Sequence, residues 1–331
     1  MDRLATLVGY DLAKKRISEV KLLSLILNYG SLNASELARI SGYSRSWVWK
    51  TLRRLEKEKV VRLEKKGGTL VAYPAEKSHK KLLRIGLLKA SEYPYIIPFA
   101  RRLKNHYSEI EILVYDEAFK LAYDIALGKV QLGMAPAISH LIVHRISGGL
   151  SYIFAGGSKG GAGIIEGRKG EGHVTTMASS MELCSELNHL PHPRIYLRKG
   201  EDIIRYVKKG QARYGVVWEP FLYQAARNGL KTRPCDLPFC CLLGGNANLK
   251  EDHETISKLF EQAVAEARRR IDDPVLIDAY ANIIGIDRTL VKNTVKSYEY
   301  LESPPMNDLS KLLGILKDVA FPAWILRQAI L

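Results

Sequence analysis

Apolar residues recur every three to four positions through 45–59, where Val48, Leu52 and Leu55 share one helical face. The opposite face presents Arg45, Ser46, Trp49, Lys50 and Arg53. Ser44 supplies a good N-cap for this helix. Upstream, Asn33–Ile40 predicts a shorter helix, and Ser41-Gly42-Tyr43 a tight turn in which Gly42 provides the bend. Ser18–Asn28 is strongly apolar and predicts a helix at the core of the same module. Downstream, Val60–Leu63 and Thr69–Tyr73 are β-rich runs around the basic, glycine-rich turn Glu64-Lys-Lys-Gly-Gly68. Leu4, Leu7, Val8 and Leu12 place one more short helix in Asp2–Arg16, either pairing subunits or covering its own domain. These elements make residues 1–74 one domain, followed by a short polar linker over 75–81.

From Leu82 the period changes to alternating strand and helix. Strands are expected at Leu82–Leu88, Ile110–Tyr115, Val130–Ala135 and Tyr152–Ala155, with helices at Tyr95–Tyr107, Ala118–Gly128 and Ser139–Arg145 between them. A second set follows: strands Val174–Met177, Ile195–Leu197 and Tyr214–Trp218, with helices Ser179–Leu187, Asp202–Lys209 and Phe221–Asn228. Cys240–Gly245 is an apolar strand that crosses back, and helical runs His253–Arg270, Pro274–Ile284, Arg288–Ser297 and Leu309–Leu331 close the chain. Repeated βα units imply a parallel sheet covered on both faces. The pattern predicts an α/β body of two lobes, the first from 82–168 and 243–331 and the second from 169–242. The interlobe cleft is the natural ligand site, and the hinge is expected near Gly163–Gly172 and Leu242–Gly245.

A chain of 331 residues is too long for the first module alone. Its net charge is +15, of which about +10 precedes Leu82. A basic head on a nearly balanced body fits nucleic-acid contact through the head. No signal peptide is visible, and no apolar run approaches the length needed to span a bilayer, so a cytoplasmic protein without membrane contact is expected. Cys184, Cys235, Cys240 and Cys241 lack a CxxC pair, and no histidines stand at zinc-like spacing. Cys240 and Cys241 read as buried strand residues. No metal or cofactor is expected.

The order, spacing and charge of 33–73 resemble a winged helix-turn-helix of the MarR-like kind. That resemblance implies duplex DNA as partner. Ser44, Arg45, Ser46, Trp49, Lys50 and Arg53 would enter the major groove, while Lys65 and Lys66 on the wing reach phosphates or the minor groove. In the body, Leu127-Gly-Lys-Val-Gln-Leu-Gly133, Tyr214-Gly-Val-Val-Trp-Glu-Pro-Phe221 and Asn248-Leu-Lys-Glu followed by Asp272-Asp-Pro274 resemble motifs of type 2 periplasmic-binding proteins. The similarity is to those for sulfonates, nitrate and thiamine-pyrimidine precursors. Head plus body is similar in plan to LysR-type regulators, without their long helical linker.

The loops at the strand ends supply the candidate ligand contacts. Ser91, Tyr93 and Tyr95 follow the first strand, Asp116 the second and Ser139 the third. From the second lobe come Ser179 and Ser180 at a helix start, and Trp218 and Glu219 at a strand end. Trp218 and Phe221 fit lobe core equally well, and Glu219 a structural cap. The run Gly156–Gly163 matches neither phosphate-binding glycine pattern. It reads as a flexible crossing segment, with Ser158 and Lys159 either at the cleft mouth or on a surface loop. No paired carboxylates and no nucleophile–histidine arrangement stand out, so no catalytic residue is assigned. A ligand-responsive transcriptional regulator is expected, with a small-molecule effector. It would be a homodimer joined through Asp2–Arg16 or Leu312–Leu331. The alternative is a small-molecule-binding protein or enzyme of the same fold, such as one of pyrimidine-precursor metabolism, whose head contacts protein.

Overall fold

The computed structural model describes residues 18–75, 82–237, 239–304 and 308. The expected helix in Asp2–Arg16 and the stretch Leu312–Leu331 lie outside the described residues.

In the head, helix α1 covers 18–29. Then come β1 (Leu32–Asn33), α2 (Ala34–Ser41), α3 (Arg45–Lys57), β2 (Val61–Lys66) and β3 (Thr69–Pro74). A capping box starts α2: the Asn33 side chain accepts from the Glu36 backbone, and Glu36 accepts from the Asn33 backbone. Gly42 ends α2 at φ 77, in the left-handed region that favours glycine. Val48, Thr51, Leu52 and Leu55 are the buried face of α3. The wing β2–β3 pairs antiparallel, and β1 adds to its β3 edge. This is a helix-turn-helix domain with a wing.

The body is α/β and two-lobed. Lobe 1 holds β4 (Leu82–Leu88), α4 (Ile96–Leu103), β5 (Glu109–Tyr115), α5 (Ala118–Ala126), β6 (Leu132–Pro136), α6 (Ala137–Ser147) and β7 (Ser151–Gly160). Lobe 2 holds β8 (Ala162–Glu166), β9 (His173–Thr175), α7 (Ser180–Leu187), β10 (Arg194–Tyr196), α8 (Gly200–Lys208), β11 (Tyr214–Trp218), α9 (Phe221–Arg227) and β12 (Lys231–Pro234). The chain returns to lobe 1 as β13 (Cys241–Asn246), α10 (His253–Arg269), α11 (Pro274–Ile284), α12 (Arg288–Thr294) and β14 (Tyr298–Leu301). The lobe 1 sheet has the order β14-β7-β13-β6-β4-β5, and the lobe 2 sheet β10-β9-β11-β8-β12.

Two sequence expectations change here. The sheets are mixed, because β13 runs antiparallel to both its neighbours and β8 antiparallel to β11 and β12. Strands that cross between lobes without a helical connection enter their new sheet from the opposite end. The crossings also come earlier than Gly163–Gly172 and Leu242–Gly245: they fall at Gly161, between β7 and β8, and over 235–240, before β13. The glycine-rich run is therefore mostly strand. A Cβ on Gly157 would collide with the carbonyl of Cys241, and one on Gly156 with that of Leu301. Glycine there admits close strand approach.

One face of the lobe 1 sheet packs on α4, α10 and α11 through Phe99, Phe260 and Tyr280. On the other face, α5 shares a single apolar cluster with the head: Phe119, Leu121 and Ile125 belong with Val20, Leu52 and Leu55. Cys184 on α7 and Cys235 before the return crossing form a disulfide inside lobe 2. Among the described residues no helix is long and apolar enough to cross a membrane.

Candidate functional site

The exposed face of α3 carries the residues expected there. Ser44 caps the helix by accepting from Trp47 N–H at 3.3 Å, while Arg45, Ser46, Trp49, Lys50 and Arg53 all face solvent. Trp49 is 46% exposed, and the Arg53 guanidinium lies 5.0 Å from the centre of its ring. An exposed indole beneath a cation is a poor helix surface for water alone and a good one for a groove. Arg53 also reaches Glu56 at 3.1 Å. On the wing, Lys65 is exposed, and Lys66 lies over the Tyr73 ring at 4.9 Å with Glu64 3.7 Å away. Salt bridges this exposed are weak, so competing phosphates can displace the carboxylates.

A cavity of about 390 Å³, counting the part open to solvent, lies between the lobes. Its wall combines Tyr93, Asp116, Ser179, Ser180 and Trp218 from the sequence-derived set with Glu92, Thr176, Met181, Cys240 and Cys241. Ser179 caps α7 and bonds Thr176 Oγ1 at 2.6 Å, which fixes both hydroxyls. Trp218 donates its indole N–H to the carbonyl of Lys89 at 2.9 Å, so it bridges the lobes.

The other six expected contacts lie off the wall. Ser91 is buried and accepts from Thr294 Oγ1 at 2.7 Å. Tyr95 is fully buried, edge-on to Phe260 and Tyr300, and belongs to the lobe 1 core. Ser139 donates to the Ala178 carbonyl at 2.5 Å, which ties α6 to the loop before α7. Ser158 donates to the Glu92 carboxyl from behind the wall. Lys159 is spent on an exposed pair with Glu299 at 2.9 Å. Glu219 accepts from Tyr223 N–H at 3.0 Å and so acts as a local cap. Apart from the buried Tyr95 hydroxyl, which has no partner, each of these polar groups is satisfied by protein, which local sequence could not reveal, because most partners lie far along the chain.

Sequence reasoning missed Glu92, Thr176 and the two cysteines. Glu92 stands between two expected contacts, and its neighbours in a strand-end loop were the available signal. Burial raises its pKa, against the opposing bond from Ser158. Burial likewise raises Glu219 to about 7, with the Tyr223 N–H opposing. Ion pairs also cross the cleft rim: Lys199 with Asp116 at 3.5 Å, Arg198 with Glu117 at 3.4 Å, and Lys89 with Glu201 at 3.1 Å.

Cleft and head meet through α5. Asp116 and Ala118 are cavity wall at the start of that helix. Further along, Tyr123 donates its phenol to Glu19 of α1, and Lys129, just past α5, pairs with Glu58 at the end of α3 at 2.5 Å. Glu19 is buried and also paired with Arg54 of α3. Burial disfavours the Arg54 charge, but Glu19 outweighs it and raises the pKa.

Comparison with known proteins agrees with this division. Residues 16–78 match the sequence model of a family described as the sugar-specific transcriptional regulator TrmB. No curated protein matches the chain. Among solved structures, the alkanesulfonate-binding protein SsuA from Xanthomonas axonopodis pv. citri, bound to MOPS, superposes with a TM-score of 0.60 at 15% identity. The match covers 77% of this chain and 99% of that one. The ligand-binding component of an ABC-type import system from Staphylococcus aureus gives 0.58 at 15% identity, over 75% and 99%. The periplasmic nitrate-binding protein NrtA from Synechocystis PCC 6803 gives 0.52 at 13% identity, over 68% and 73%. The chain thus joins a helix-turn-helix domain matching the TrmB regulators to a two-lobed fold of the periplasmic-binding-protein kind.

Proposed function

We propose that the protein is a cytoplasmic transcriptional regulator that binds duplex DNA through α3 and the wing, and a small metabolite in the interlobe cleft. The observation that carries this reading is α5. One end of the helix is cleft wall, and its far side holds the head through Tyr123–Glu19 and Lys129–Glu58. Closure of the lobes moves Asp116 and Ala118, and a rigid helix passes that movement to α1 and α3. An effector acts this way only if it binds one lobe arrangement better than the other.

The cavity favours a small polar molecule with a flat or apolar body. Trp218, Met181 and Leu88 offer apolar surface, and Thr176, Ser179, Ser180 and Tyr93 offer hydroxyls. Two carboxyl groups on the wall, Glu92 and Asp116, disfavour small anions such as alkanesulfonates or nitrate. They suit a hydroxyl-rich neutral molecule, in keeping with the sugars named for the TrmB family, or a cation.

A homodimer is part of the proposal, since paired heads on paired half-sites give a single winged module the contact area that specificity needs. The test is fluorescence anisotropy of the full chain on DNA from upstream of its own coding sequence, with salt titration and candidate effectors. Specific binding that steepens at low salt and shifts with effector is expected. Equal affinity for unrelated DNA at every salt concentration would sink the regulator reading. Light scattering giving a monomer with and without DNA would remove the dimer.

A further inference from the structure

At the floor of the cleft, Glu92, Cys240 and Cys241 each offer one ligand atom, and those atoms lie within 4.8 Å of one another. The two Sγ atoms are 3.3 Å apart. All three side chains are buried, and all three line the cavity. Two chain segments far apart in sequence bring them together: the loop after β4 and the crossing that opens β13. Tyr93 donates to Cys241 Sγ at 3.1 Å, and Ser158 donates to Glu92. Among the described residues no lysine or arginine pairs with Glu92. A buried carboxyl without a cationic partner is costly unless it is protonated or binds a cation.

We propose that Glu92, Cys240 and Cys241 form a site for a thiophilic divalent cation of the zinc type, with its open coordination position turned to the cleft. The ligand set selects the metal: two sulfurs and one carboxylate suit zinc and exclude magnesium and calcium, which prefer oxygen alone. The geometry fits with small movements. Zn–S bonds of about 2.3 Å at a tetrahedral angle place two sulfurs about 3.8 Å apart. Three protein ligands leave a fourth position, and the cavity lies on that side. Water or a donor atom of the effector would fill it, so this inference rests on reading the cleft as the effector site.

Proton balance makes the site pH-dependent. The cation displaces the protons of the two thiols and of the carboxyl where it is neutral, and these pass to solvent. The bound site carries a net charge of −1, which the Tyr93 and Ser158 hydroxyls face as donors. Because binding releases these protons, affinity should rise with pH.

The experiment uses the full chain, metal-stripped and reduced, titrated with Co²⁺ and then Zn²⁺. One Co²⁺ per chain should bind with thiolate-to-cobalt charge-transfer absorption and tetrahedral d–d bands, and one equivalent of Zn²⁺ should erase both. Cys240→Ser and Cys241→Ser should each weaken Zn²⁺ at least about tenfold and diminish the charge transfer. Glu92→Gln should keep the charge transfer and lose affinity. The double variant Cys184→Ser/Cys235→Ser should match the parent, because those thiols lie elsewhere. Absence of charge transfer in the parent chain, or its persistence in Cys240→Ser/Cys241→Ser, overturns the site without any reliance on variant folding. Zinc binding with no effect on DNA affinity would keep the site and fault the effector reading. An organic effector that stabilises a chain unable to bind metal would do the reverse.

Discussion

Tyr123, on the helix that leaves the cleft wall, donates its hydroxyl to the buried carboxylate of Glu19 in the first helix of the head. The bond joins two units whose sequence signatures are unrelated. It also explains why a glutamate stands in an otherwise apolar helix face: Glu19 is shared between Tyr123 of the body and Arg54 of α3. Placing one carboxylate between two partners makes the head's orientation depend on where α5 stands.

Tyr123→Phe therefore removes a donor from a buried charge. The expected cost is about 1–3 kcal/mol of stability, as for a hydrogen bond to a charged group. The more telling readout is coupling. Effector-dependent change in DNA affinity should shrink in Tyr123→Phe and again in Tyr123→Phe/Lys129→Ala, while effector affinity of the body stays near parental. Anisotropy titrations with and without effector measure both. Undiminished coupling in the double variant would mean that the signal does not travel through α5.

On the head, Lys50→Ala and Arg53→Ala should weaken specific DNA binding by about 1–3 kcal/mol each if they contact bases, and less with flatter salt dependence if they contact phosphate. Both side chains are exposed, away from Val48 and Leu52, so melting temperature should hold. Trp49→Ala should cost binding without cost to folding, because its ring meets Arg53 and no core residue that packing requires. Unchanged gel shifts for all three would move the recognition surface elsewhere.

In the cleft, Trp218→Ala and Tyr93→Phe separate two roles. Trp218 bridges the lobes through the Lys89 carbonyl and presents its ring to the cavity. Its loss should reduce the thermal shift given by an effector at least tenfold in apparent affinity. Tyr93 packs in the lobe 1 core, so its phenylalanine variant should fold normally and remove only the hydroxyl, which both contacts Cys241 and faces the cavity. Thermal-shift assays with sugars, pyrimidines and aromatic acids would read the difference. An effector indifferent to Trp218→Ala lies outside this cleft.

Much of the architecture was legible because periodicity is local. The three-to-four spacing of Val48, Leu52 and Leu55 fixed α3, and alternating apolar runs fixed β4, β5, β6 and β11 within a few residues. What stayed hidden is non-local. Gly156–Gly160 read as a loop because glycine carries no burial pattern, yet its neighbours β13 and β14 come from more than eighty residues away. Lys231–Pro234 is exposed along its length, so β12 shows no alternation. Tyr298–Leu301 falls between the expected helices Arg288–Ser297 and Leu309–Leu331, outside every expected element, and is an edge strand in the fold. The pairing of Cys184 with Cys235 spans 51 residues, a connection that spacing alone does not give. Tyr95 looked like a loop aromatic poised for ligand, but the helices that enclose it, α10 and α11, follow more than 150 residues later.

The pH dependence of stability tests the environment of Glu219. Burial raises its pKa to about 7, more strongly than the Tyr223 N–H lowers it. In the unfolded chain the same carboxyl ionises near 4.3. Between these values the folded state holds the proton and the unfolded state does not. Stability should therefore be fully present below about pH 4.3, decline as pH rises toward 7, and level off above it. The full shift corresponds to an upper bound of about 4 kcal/mol at about 1.4 kcal/mol per unit. Glu219→Gln carries no such proton. Its stability relative to the parent should rise from pH 5 to pH 7.5, even if its absolute value is lower. Chemical denaturation across that range measures the difference. Other buried groups titrate too, so the comparison rests on the slope between parent and variant. Parallel pH profiles would show that Glu219 is already ionised at pH 5, and that the cleft edge near Trp218 is wetter than its packing indicates.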